Sequence, residues 1–68
     1  MITFHQANQV RLSLKMKFSK YSWYDSSLIA NQNDGYAVII MVRKIDGEVK
    51  KLISPVVNGV SIRTEIIK

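Results

Sequence analysis

Val10-Arg11-Leu12-Ser13-Leu14-Lys15-Met16-Lys17-Phe18 is the stretch on which the fold turns, because it carries two periods at once. Val10, Leu12, Leu14, Met16 and Phe18 alternate strictly with Arg11, Ser13, Lys15 and Lys17, which is the period of a half-buried strand. In its surroundings the same stretch extends a series at steps of three and four, Ala7, Val10, Leu14, Phe18 and Tyr21, which share one face of a helix. Residue type separates the two. Arg, Leu, Lys, Met, Ala and Gln are good helix formers, and Val10 is the only β-branched residue between Phe4 and Tyr24. Thr3 followed by Gln6 has the spacing of a capping box, with Ile2 placed to staple onto the first turn. We read residues 4–20 as a helix. It follows that Leu12 and Met16, one turn apart, stand together off the core face.

Downstream, Leu28-Ile29-Ala30 reads as a short strand entered through Tyr21, Trp23 and Tyr24. Asn31-Gln32-Asn33-Asp34-Gly35 reads as a turn, its Asp-Gly pair suited to a hairpin because glycine tolerates positive φ. Tyr36 to Arg43 holds the run Val38-Ile39-Ile40-Met41-Val42, the pattern of a central strand covered on at least one face. Asp46-Gly47-Glu48 starts a second helix, with Asp46 as N-cap and Glu48 in the first turn. Val49, Leu52 and Ile53 form its apolar stripe, Lys50 and Lys51 point outward, and Pro55 ends it. Val60 to Ile67 alternates cleanly, with Val60, Ile62, Thr64 and Ile66 on one face and Ser61, Arg63, Glu65 and Ile67 on the other.

The expected fold is α+β: one domain over residues 1–68, ordered α-β-β-α-β, a two-layer sandwich with helices on one face of a three-stranded sheet. The competing fold is all-β. Asp34-Gly35, Asp46-Gly47 and Asn58-Gly59 are all hairpin-type pairs, and with residues 10–18 as a strand they would give a five-stranded meander or small barrel. Three stretches carry a resemblance: Ser22-Trp23-Tyr24-Asp25-Ser26, the Tyr36–Val42 strand, and Val49-Lys50-Lys51-Leu52-Ile53 leading to Val57-Asn58-Gly59-Val60. Together they resemble short uncharacterised bacterial α-β-β-α-β proteins, with an N-terminal helix, a hairpin, a short helix before a proline and a last strand. The resemblance spans most of the chain, implies the same fold, and brings no known activity or site residues.

The chain has 68 residues, no cysteine and a net charge of +5, from ten Lys and Arg against five Asp and Glu. A disulfide framework and a thiolate metal site are excluded. His5 is the only histidine and has no acidic neighbour in sequence, so no metal site or metal partner is expected. Ser22, Ser26 and Ser27 lack the glycines of a nucleophile elbow, and the glycines, each beside Asp or Asn, form no phosphate loop. The carboxylates are scattered over turn and cap positions. Neither a catalytic site nor a cofactor is expected. The longest apolar run, Ala37 to Val42, is far too short to span a bilayer, and no signal-peptide pattern opens the chain. No membrane partner and a cytoplasmic location are the expectations.

What remains is binding. The expected function is that of a small, non-catalytic protein-interaction module that associates with another protein or with itself as a homodimer. Leu12 and Met16 are its candidate surface, together with Ile67 if Val60–Ile67 forms an exposed sheet edge open to added strands. The alternative is a nucleic-acid-binding module. Arg11, Lys15, Lys50 and Lys51 would hold phosphates, and Trp23 and Tyr24 would stack on bases. The same residues are also explained as solvated lysines on amphipathic helices, with aromatics sealing the end of a small core.

Overall fold

The Thr3 side chain accepts a hydrogen bond from the Gln6 N–H (3.2 Å), and Gln6 Oε1 accepts one from the Thr3 N–H (2.9 Å), so both halves of the capping box are present. They start helix α1, Phe4–Phe18, in a computed structural model that describes residues 2–32 and 35–67. The two periods of residues 10–18 coincide at Val10, Leu14 and Phe18, so only the remaining positions discriminate. Ala7 is fully buried, whereas Leu12 and Met16 are exposed. The helical period is the physical one, and the all-β alternative is overturned.

The chain continues through β1 (Tyr24–Gln32), β2 (Gly35–Val42), α2 (Gly47–Leu52), β3 (Val56–Val57) and β4 (Val60–Ile66). The fold is α+β, and its sheet has four strands rather than three, in the order β1-β2-β4-β3. β1 is antiparallel to β2, β4 is parallel to β2, and β3 is antiparallel to β4. β2 is therefore central, as its β-branched run demands.

The additional strand, β3, pairs Val56 with Ser61 and Val57 with Val60. Asn58 (φ 51°) and Gly59 (φ 80°) close it, and positive φ at both central residues is the geometry of a type I′ hairpin turn. Two residues are too few to show an alternation, which is why this strand is invisible to periodicity. Of the other two glycine pairs, Asp46-Gly47 starts α2, with the Val49 N–H on Asp46 Oδ1 at 3.1 Å. Of the expected turn at 31–35, Asn31 and Gln32 belong to β1, Gly35 belongs to β2 and pairs with Gln32, and Asn33 and Asp34 lie outside the described residues.

β1 is longer than the Leu28–Ala30 core read from sequence. Its serines, Asn31 and Gln32 have little intrinsic strand preference and are held by the ladder to β2. An irregularity between Tyr24 and Ser26 marks its first end. There Arg43 Nη1 donates to the Ser22 and Tyr24 carbonyls (2.6 and 3.0 Å), and the Arg43 N–H donates to the Trp23 carbonyl (2.8 Å).

Both helices cover the same face of the sheet. Ala7, Val10, Leu14 and Phe18 of α1, Val49 of α2 and Ile53 at its C-cap pack on Val38, Ile40 and Val42 of β2 and Val60 and Ile62 of β4. The opposite face carries the row Leu28, Ile39 and Arg63, in register across β1, β2 and β4, and neither helix covers it. The Cα radius of gyration, 11.3 Å, matches the ~11 Å of a compact chain of this length. Among the described residues no helix is long and apolar enough to cross a membrane.

Candidate functional site

Leu12 and Met16 are 43% and 82% exposed, because α1 turns its core stripe fully onto the sheet. They form a small apolar pair with Lys15 and other polar side chains of the same helix nearby in sequence, and Lys20 just beyond its end. Two copies meeting there would oppose like charges.

The candidate phosphate-binding residues are not brought together. Arg11 is half-buried and donates from Nε and Nη2 to Asn8 Oδ1 (3.1 and 2.9 Å). With Lys15 it lines a polar groove of about 220 Å³ against Tyr24 and Asp25. Lys50 lines a different cleft, beside β4, and Lys51 is exposed on α2. β2 separates the two sets. Trp23 is 3% exposed, stacked on Tyr21 at 5.1 Å and in contact with Phe18 at 5.5 Å. Its ring belongs to the core and offers no face to a base. Tyr24 is half-buried, its hydroxyl 3.1 Å from Ser27 Oγ.

The sheet edges are the more informative feature. Val60–Ile67 is an edge over part of its length: β3 pairs with Val60 and Ser61 only, and Ile67 is half-buried beyond the end of β4. The long edge is β1. Two bonds fix the phase of the ladders, Arg43 N–H to the Trp23 carbonyl and Ile67 N–H to the Val42 carbonyl. The backbone groups of Val38, Ile40 and Val42 therefore face β4, and those of Ala37, Ile39 and Met41 face β1. By the same alternation Ser27, Ile29 and Asn31 turn their N–H and C=O groups outward. No hydrogen bond from the described residues reaches them.

Edge strands of monomers are normally blunted by lysine, proline, a bulge or short length. β1 has nine residues, no lysine, no arginine and no proline. Its one charge, Asp25, sits at the irregular end and is 3.6 Å from Arg43 Nη2. Leu28, at its midpoint, is 43% exposed on the uncovered face. Periodicity missed this surface because the strand read from sequence was only three residues long. The uncharged run Ser26–Gln32 was the available signal.

Folding perturbs the ionisation of Asp46. The Val49 N–H on its carboxylate, and then Lys44 Nζ at 3.3 Å, hold its pKa below the usual aspartate value. This is helix capping, remote from both edges. Among the described residues no three of His, Asp and Glu gather into a set that could hold a metal ion. Comparison with protein-family models, curated proteins and solved structures found no match to this chain.

Proposed function

We propose that this chain acts by binding rather than catalysis, as a small protein-interaction module that self-associates by pairing β1 with β1 of a second copy. The observation that supports this reading is the open β1 edge, nine residues long and carrying one charge. An unprotected strand of that length is a template for another strand. The strand is also compatible with itself. A two-fold axis through Leu28 places Ser27 opposite Ile29 of the second copy, so outward-facing N–H and C=O groups meet in an antiparallel ladder. Leu28 then meets its own copy as the close, non-hydrogen-bonded pair and extends the apolar row begun by Ile39.

Light scattering over a concentration series tests the proposal. The wild-type chain is expected to pass from monomer to dimer. Leu28→Lys, which sets two like charges side by side, and Asn31→Pro, which removes an outward N–H, are expected to keep it monomeric with an unchanged circular dichroism spectrum. A chain that stays monomeric throughout, or a dimer indifferent to both substitutions, overturns the reading.

A further inference from the structure

We propose that the groove between α1 and the first half of β1 is a binding site for the phosphoryl group of a small phosphate monoester. Its walls come from two elements. Asn8, Arg11 and Lys15 recur at steps of three and four and so share one flank of α1. Arg11 and Lys15 line the groove from that side, and Tyr24, Asp25, Ser26 and Ser27 line it from β1. Sites for drug-sized ligands start at about 300 Å³. This groove, at about 220 Å³, suits a smaller molecule.

The donors are set for an anion. Among the described residues the ion pairs join Arg43 to Asp25, Lys44 to Asp46 and Arg63 to Glu65, which leaves Arg11 and Lys15 with no carboxylate partner there. Arg11 is half-buried, and Asn8 Oδ1 accepts from its Nε and Nη2 (3.1 and 2.9 Å). That contact holds the guanidinium plane and occupies one side of the fork. The Nη1 and Nη2 hydrogens on the other side remain, two parallel donors with the spacing of two phosphate oxygens. Lys15 adds a point charge. The Tyr24 hydroxyl donates to Ser27 Oγ at 3.1 Å, which leaves the Ser27 hydroxyl hydrogen for a third oxygen. Two positive charges and these donors match the dianion of a monoester and its three terminal oxygens. Asp25, in the same wall, is turned to other partners: its Oδ1 lies 3.6 Å from Arg43 Nη2, and its Oδ2 accepts from Ser26 Oγ at 3.0 Å.

This site does not rest on the β1 pairing, since Leu28 lies on the uncovered face and the groove lies on the helix side. The test titrates the full chain, wild type and Leu28→Lys in parallel, with methyl phosphate and follows amide NMR shifts. Both chains are expected to bind, with the shifts concentrated around Arg11, Lys15 and Ser27. Dimethyl phosphate, a monoanion with two terminal oxygens, is expected to bind about tenfold more weakly or less well still. Lys15→Glu is expected to weaken methyl phosphate by about tenfold or more, while Lys50→Glu, the same charge change beside β4, has little effect. Arg11→Lys keeps the charge, loses the fork and is expected to weaken binding several-fold. Asp25→Asn removes the one negative charge of the wall and is expected to tighten it. Absence of binding, equal affinity for the two phosphates, unchanged binding in Arg11→Lys, or equal losses in Lys15→Glu and Lys50→Glu each overturn the proposal. So would a capped phosphoserine peptide that binds about tenfold tighter than methyl phosphate, which would move the phosphoryl group onto a partner protein.

Discussion

Gly35 and Gly47 look alike in the sequence, each after an aspartate, and differ in what surrounds them. Gly35 has φ +128°, and a Cβ there would run into the carbonyl oxygen of Ile2, which bridges to Gly35 as a short extension of the sheet. Gly47 has nothing within 4 Å of its Cβ position and opens α2. Gly35→Ala is therefore expected to destabilise the chain by more than about 1 kcal/mol. Gly47→Ala is expected to stabilise it by about 0.4–1 kcal/mol through the unfolded chain's lost freedom. Denaturant melts of the two variants check this. Trp23, the only tryptophan, is a second single-residue case. Buried in the Phe18 and Tyr21 cluster, it is expected to emit with the blue-shifted fluorescence of an apolar site. Trp23→Ala is expected to cost about 3–5 kcal/mol. Trp23→Phe, which keeps a ring and removes an indole N–H with no acceptor among the described residues, is expected to cost less.

At the scale of elements, the caps were legible because their chemistry is local. Thr3 with Gln6, and Asp46 with Val49, are contacts three residues apart, so spacing alone identifies them. The second has a pH signature. The Asp46 pKa is lowered by folding, so its cap stabilises α2 fully above the ordinary aspartate value of about 3.9 and loses that contribution as pH falls through the lowered folded value. Asp46→Asn keeps a capping acceptor that does not titrate. Thermal melts on acidification are expected to show the difference between the two chains shrinking below that range; a constant difference would sink the assignment. The strands were less legible. β2 declared itself by its β-branched run. β1 did not, because its polar residues become a strand only through the ladder to β2, and β3 did not, because two residues have no period.

For the whole molecule, the one-sided packing of both helices decides where binding can occur. It leaves the row Leu28 to Arg63 uncovered and β1 as a long free edge. If that edge joins two copies, stability depends on concentration. The wild-type melting temperature is expected to rise with protein concentration while that of Leu28→Lys stays flat, as scanning calorimetry over a dilution series would show. The sequence by itself determined the helical character of the first segment, read as 4–20 and ending two residues earlier at Phe18, both N-caps, the central strand and the absence of thiol chemistry. These are set by residue type and by contacts within a few positions. Only the tertiary structure decided that Trp23 belongs to the core, that β3 covers the start of β4 while β1 is open along its length, and that Lys15 and Lys50 line clefts on either side of β2. Strand order and layer packing bring together residues far apart in the chain, and the local spacing of side chains carries no record of which strand ends up next to which.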